Sequence, residues 1–353
     1  KVIEKDKKMY VCFVDLEKAF DRIRRTDIME SLAKKGVNEG LRKAVESLYV
    51  RTRNYVRTAN AHSQEFDTCS GIRQGCSLSP LLFIIALDDV FRRSQLRMRN
   101  FEVGYYRMSC VRLSLLAFAD DIAVLANTPE NLQYNVNILH EELRNINMSI
   151  SVNKSKTMEI SRKNGAPLRI KLAQEGMEQV ANFKYLGVNI NEEGRIDKEI
   201  NDRIASAGRL FNALKKGFIN KKEVSKGTKV AIFKSTYIPV LTYGSESWAI
   251  TSKHHSMLQA SEMRFLRRIE GKTRRDRVRN VNIRNNLGVK PVESVLRENR
   301  LRWFGHLMRM ESGRVARTCY ETKTQGQRGR GRPRTTWEDV VRNDFTKKNL
   351  DWN

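Results

Sequence analysis

A chain of 353 residues, 40% hydrophobic and 30% charged, is long enough for two or three domains and too rich in apolar residues for wholesale disorder. Lys and Arg number 66 against 40 Asp and Glu, a net +26 that is unevenly spread: residues 1–190 carry 30 basic and 22 acidic groups, residues 191–353 carry 36 and 18. The basic second half predicts a polyanionic partner, above all nucleic acid. Five cysteines (Cys12, Cys69, Cys76, Cys110, Cys319) without a CxxC pair argue against a disulfide framework and a zinc knuckle. They fit a reducing, intracellular setting, nucleus or cytoplasm, rather than secretion. No apolar run reaches the roughly 18–20 residues that span a bilayer, so no membrane partner is expected. The chain opens on Lys1 in mid-pattern, which reads as a fragment without a visible signal peptide.

In chain order, MYVCFVD (9–15) reads as a buried strand ending on an acid. Helices are expected over 22–35 and 38–51, with Gly36 as the stop between them. GIRQGCSLSP (71–80) is irregular and leads into an apolar helix over 81–98. VRLSLLAFADDIAVLA (111–126) reads as a hairpin turning at Ala119-Asp120-Asp121. Pro129 starts an amphipathic helix with Leu132, Val136, Leu139, Leu143 and Ile146 on one face. Strands follow near 149–160 and 183–190; from Ile196 the pattern turns helical, and 326–334 (GQRGRGRPR) reads as an extended basic arm. The irregular alternation with an adjacent strand pair predicts an α+β fold, an antiparallel sheet packed on helices, rather than a doubly wound one.

The chemistry concentrates in three acids. Asp15 closes a buried strand, and Asp120 and Asp121 sit together inside an apolar hairpin, where like charges repel and desolvation is costly. A divalent cation would compensate them. Mg²⁺ takes one or two protein carboxylates and completes its shell with water and phosphates, and a pair of such ions promotes in-line phosphoryl transfer. An Asp-Asp dipeptide in a polar turn is the plainer reading.

These acids belong to a series: FVDLEKAFD (13–21), GIRQGCSLSPLLF (71–83), FADDIAVLA (118–126), NKSKT (153–157) and KYLGV (184–188), with Asp15 and Asp120 lying 105 residues apart. The series resembles the palm of a reverse transcriptase of the non-LTR (LINE-type) retrotransposon kind, over residues 1–240. The resemblance implies a right-hand polymerase fold: a palm over 1–190 with truncated fingers, a helical thumb over 191–240 and a basic nucleic-acid-binding tail over 241–353. It implies an RNA-directed DNA polymerase that uses an RNA template, a DNA primer or target and deoxynucleoside triphosphates. Two Mg²⁺ ions, replaceable by Mn²⁺, would be held by Asp15, Asp120 and Asp121.

Position by position, the resemblance makes Phe20 the bulky residue under the incoming sugar, which selects deoxynucleotides. Arg73, Gln74 and Gly75 fall in the loop beside the nascent base pair. Lys156 matches a lysine that protonates the leaving pyrophosphate, and Tyr185, Leu186 and Gly187 match the primer grip. In the thumb, Lys215, Lys216, Lys221, Lys222, Lys226 and Lys229 suit phosphate contacts, which are salt-sensitive and blind to sequence. Arg330 and Arg332 in Arg-Gly-Arg-Pro resemble an AT-hook core, an extended arm for a narrow minor groove. Trp248, Trp303 and Trp337 are expected in the core; His254, His255 and His306 make no zinc site. The family's fingers lie upstream of the first acid, and here only a few residues precede the strand. That departure keeps a second reading open: a catalytically silent remnant that binds RNA or DNA.

Overall fold

Met9–Val14 (β1) is the centre of the first layer, because every second residue can face one side and both sides are covered. A computed structural model describes residues 2–3, 7–105, 109–162, 165–322 and 335–350, and the chain divides into two compact units that meet in sequence between Leu186 and Gly187.

In the first unit β1 is flanked by Asp121–Ala126 and Lys156–Ile160, both antiparallel to it. With Leu115–Phe118 as β2, Asp121–Ala126 as β3, Lys156–Ile160 as β4 and Glu178–Gln179 as β5, the sheet order is β5-β4-β1-β3-β2, with only β5 parallel to its neighbour. Tyr10, Cys12 and Val14 point into the main core; Val11 and Phe13 are buried on the other face, where Phe13 stacks on Phe183 at 4.1 Å. The mixed α+β architecture is the expected one.

The expected helix from Pro129 is Pro129–Arg144, packed on β1 and β3. Thr128 caps it by accepting from the Asn131 N–H, and Leu132, Val136, Leu139 and Leu143 are all fully buried. The apolar helix is Ser79–Arg97, with Pro80 in its first turn where a missing N–H costs nothing. The two helices are tied by Glu142, which accepts from Arg93 (2.9 Å) and Arg97 (2.7 Å).

Four local expectations change, the first being the strand expected over 183–190, which forms as two short ones, Asn182–Tyr185 and Val188–Asn191. The helix expected over 22–35 breaks into Ala19–Arg22 and Arg25–Lys34, because Ile23 turns extended (φ −56°, ψ 130°) and goes fully into the core. The strand expected over 149–160 forms only from Lys156. Before it, Ser151 donates its N–H to the Asp15 carbonyl (2.8 Å) and the Ser155 hydroxyl accepts from the Asp15 N–H (3.1 Å), which spends this stretch on the end of β1. An additional hairpin, Phe101–Tyr105 with Ser109–Leu113, precedes the acidic one.

The second unit is helical. Its main elements are Asp197–Leu214 (α1), Ser252–Glu270 (α2), Asn280–Leu287 (α3), Val292–Arg309 (α4) and Trp337–Thr346 (α5). One apolar cluster runs from Ile200 to Leu296, so the stretches expected as thumb and tail share a core. Within it Glu262, wholly buried, receives both arms of the Arg284 guanidinium (2.5 and 3.3 Å) and the Val292 N–H (3.0 Å). Trp248 is core, as expected, whereas Trp303 and Trp337 are half-buried; the Trp337 indole donates to the Glu246 carbonyl at 2.7 Å. No helix among the described residues is long and apolar enough to cross a membrane, and all five cysteines are free thiols.

Candidate active site

The pairing of β1 with β3 sets the site. Val14 faces Ile122 in that register, so the next residue on each strand, Asp15 and Asp121, comes to the same end of the sheet. Asp120 precedes β3 in a tight turn whose Ala119 adopts positive φ (54°), a strained conformation for a residue with a Cβ. Phe118 pairs Asp121 across that turn. The three acids separated in sequence are therefore brought to one edge.

Electrostatics reflect the crowding. Burial, then the Asp120 and Asp15 carboxylates, push the Asp121 carboxyl above the ordinary range. Asp15 is half-exposed, yet its Oδ2 is shielded from solvent and has no hydrogen-bond partner. The nearest cation is the Lys154 ammonium, 3.7 Å from that oxygen and itself largely solvated. A shielded carboxylate oxygen without a donor, beside two more carboxylates, suits a hard cation with oxygen ligands. Among the described residues no three acidic, His or Cys side chains stand close enough to share one ion, so any ion bound here draws much of its shell from water or phosphate.

Tyr185 is drawn to the same place: its hydroxyl donates to the Asp121 carbonyl oxygen at 3.2 Å, and its ring packs 5.7 Å from that of Phe13. Burial and the Asp121 charge raise its phenol. Leu186 and Gly187 follow with φ of 48° and 80°, a consecutive left-handed pair of the kind that closes a two-residue turn. Gly187 is closely approached: a Cβ there would lie 3.3 Å from the Tyr243 ring, and the Arg203 guanidinium donates to its carbonyl.

Phe20 lies in the short helix Ala19–Arg22 that follows Asp15, half-buried and stacked on Phe83 at 4.5 Å. The 71–75 loop docks against it: the Ile72 N–H donates to the Phe20 carbonyl (2.9 Å), and Gly71 passes so near that a Cβ would meet the Asp21 carbonyl at 2.8 Å. Gln74 donates its amide to Asp21 (3.2 Å), Gly75 takes φ 86°, and Arg73 is exposed. Sequence patterning alone had not shown that Gln74 is held by Asp21, a residue given no role.

Lys156 sits on β4 with its ammonium between the Asn153 carbonyl (2.6 Å) and Glu178 (2.8 Å). The lysine beside the acids is Lys154, which the sequence reading passed over; it lies in the turn before β4, a turn held against Asp15 by Ser151 and Ser155, and no local pattern signals it. Lys215, Lys216, Lys221 and Lys222 are exposed on the second unit, and Lys226 pairs with Glu270 at 3.2 Å. Lys229 departs from expectation: it is buried and donates to the Lys221 carbonyl at 2.7 Å, so it holds the fold. Arg330 and Arg332 lie outside the described residues.

Residues 1–190 match the family model described as reverse transcriptase (RNA-dependent DNA polymerase). A retrovirus-related Pol polyprotein from a type-1 retrotransposable element of Nasonia vitripennis is 28% identical over 56% of this chain and 20% of its own length. The RNA-directed DNA polymerase from mobile element jockey of Drosophila melanogaster is 24% identical over 73% of the chain and 28% of its own length. A transposon-derived protein of Caenorhabditis elegans is 26% identical over 69% of this chain and 90% of its own. The chain thus spans well under half of both the Nasonia and the jockey proteins. A telomerase structure from Candida tropicalis is similar at 12% identity and a TM-score of 0.43, over 88% of this chain and 47% of that one. With its acids at one sheet edge and its first 190 residues matched throughout, the chain belongs to the reverse transcriptase family, of the non-LTR retrotransposon kind that its motifs resemble.

Proposed function

We propose that this chain is the palm and thumb of an RNA-directed DNA polymerase that extends a DNA 3′-hydroxyl along an RNA template of a non-LTR retrotransposon. The family generally works with divalent metal ions. The observation that carries the reading is the placing of Asp15 level with Asp121, next to Asp120, with a shielded Asp15 oxygen that has no hydrogen-bond donor and only the solvated Lys154 ammonium at 3.7 Å.

Asp15, Asp120 and Asp121 would hold two Mg²⁺ ions, or Mn²⁺ in their place, which supply Lewis acidity at the primer hydroxyl and at the triphosphate oxygens. The chain's own residues do the rest. Tyr185 fixes the main chain at Asp121 and so the position of that carboxylate. Gln74 and Gly75 present a polar amide and an unobstructed backbone to the nascent pair, held in place through Asp21. Phe20, backed by Phe83, gives the sugar a flat apolar wall that leaves no room for a 2′-hydroxyl. Lys154 is placed to balance the charge of Asp15 until phosphate arrives, while Lys156, held by Glu178, is free to meet the leaving group only when that pair opens. Exposed Lys215, Lys216, Lys221 and Lys222 would carry template–primer phosphates. The partners and the free thiols suit an intracellular site of action, in nucleus or cytoplasm.

A second reading, a nucleic-acid-binding chain that does not polymerise, is favoured by the lack of three convergent ligands among the described residues. Primer extension on poly(rA)·oligo(dT) with Mg²⁺ and dTTP separates the two. Extension by the wild type that disappears in Asp120→Asn is the expected result; equal extension in both, or binding without extension in either, removes the polymerase reading. In the same assay Phe20→Ala should admit ribonucleotides, and unchanged sugar selectivity would remove Phe20 from that role.

A further inference from the structure

The second unit contains a cavity of about 600 Å³ between α1, α2 and the turn that follows α2. Its wall carries four cations, Arg264, Arg267, Lys272 and Arg274, and no carboxylate. Among the described residues none of the four makes an ion pair, whereas buried cations elsewhere in this unit, Arg284 and Arg300, are each matched to a carboxylate. Arg267 goes further: its guanidinium is anchored on Asn280 (2.6 Å) through one nitrogen, while its shielded Nε has no partner. Arg264 is held over the Phe211 ring at 4.9 Å and bonded to Asn212 at 3.2 Å, so its charge is positioned rather than free to roam. Asp276, bonded to Thr273 and near Lys272, gives the cluster one acid; an added anion would offset the remaining cations.

The rest of the wall is apolar. Ile204 and Met257 line it, and behind them Tyr237, 1% exposed and bonded through its hydroxyl to Ser261 (2.9 Å), belongs to the core that backs the wall. Gly208 is the most telling lining residue. It stands in the middle of α1, where glycine costs roughly 0.5–1 kcal/mol relative to alanine, yet a Cβ there would meet nothing within 4 Å. No neighbour requires a glycine; what its missing side chain preserves is the space. The volume lies in the range of about 300–1,000 Å³ typical of small-ligand sites.

From these observations we infer that the cavity takes an unstacked nucleotide of a single-stranded polynucleotide, its phosphates on the Arg264–Arg274 rim and its base on the Ile204–Met257 floor. Bases inside a duplex are stacked and cannot enter a concave site, whereas a splayed base stacks on apolar and guanidinium surfaces. This site is separate from the acids of the first unit, and the inference does not rest on the polymerase reading: a chain without extension activity would still bind through it.

The test is fluorescence anisotropy on the full chain without Mg²⁺, using a short labelled single strand, as RNA and as DNA, and a blunt duplex of the same sequence. Gly208→Leu fills the cavity without changing charge and should keep or raise Tm. It is expected to weaken single-strand binding about tenfold, the effect of losing one stacked base, and to leave duplex binding within about twofold. The exposed pair Lys272→Glu with Arg274→Glu should weaken single-strand binding and reduce the salt slope by roughly 1.4. Whichever of RNA and DNA loses more names the natural strand. Unchanged single-strand affinity in both variants, an equal loss on duplex in Gly208→Leu, or no single-strand binding by the wild type overturns the inference.

Discussion

Two groups of carboxylates in the first unit were built under opposite rules. Glu142 is buried and fully engaged: burial pushes its carboxyl up, Arg93 and Arg97 more than reverse that, and the group ends below its usual range. Asp121 sits at a turn, is pushed up by burial and then by its own acidic neighbours, and no ion pair to it forms among the described residues. One group is a structural bond; the other is stored repulsion. The first unit pairs Glu142 where it serves packing and leaves Asp121 beside two other acids, the kind of perturbed carboxylate that makes a strand end a candidate site.

The largest expected effect tests the second group. Asp120→Asn should lower primer extension on the order of 10³-fold, since electrostatic stabilisation of a transferring phosphoryl group amounts to several kcal/mol, and Tm should not fall. A Tm loss comparable to that of a core mutation would make Asp120 structural and erase the contrast. Next comes the first group: Glu142→Ala leaves Arg93 and Arg97 facing a vacated site and should cost about 3 kcal/mol by urea denaturation. Asp89, which also bonds Arg93 at 2.6 Å, offers partial relief, so a loss under about 1 kcal/mol would mean that it takes over.

The smallest effect carries a sign. Because folding raises the Asp121 carboxyl above its unfolded value, the folded state binds the proton more tightly and is destabilised above that range. Asp121→Asn should therefore stabilise the fold at neutral pH, by less than about 1 kcal/mol at so exposed a turn. The gain should shrink as pH falls and vanish below about 3.9, the unfolded carboxylate value. A variant less stable than wild type at pH 7 would show that Asp121 makes a bond that holds the turn.

Much of this was legible from local pattern. A β-branched run ending on an acid, an apolar hairpin interrupted by two acids and an apolar stripe after Pro129 each report on their own neighbourhood, and each formed where expected. What the pattern missed depends on distant partners. Ile23 breaks its helix because the core and the Gly71 N–H claim it from 48 residues away. Lys156 opens β4 while Lys154 lies in the turn before it, and only the folded chain tells which of them meets Asp15. Lys229 looks like any surface lysine until the Lys221 carbonyl captures it. Charge composition located the basic unit but could not reveal that four of its cations surround one hollow.

The bond from Tyr185 to Asp121 has a consequence of its own. It ends on the peptide oxygen and not on the carboxylate, so the phenol steers where the aspartate stands without diluting its negative charge. Position and ionisation of the same residue are thereby governed by different atoms, one anchored by the Tyr185 phenol and the other left to the solvent. Removing that hydroxyl would unmoor the turn while its field stayed intact, which makes Tyr185 the point at which alignment can be loosened independently of electrostatics.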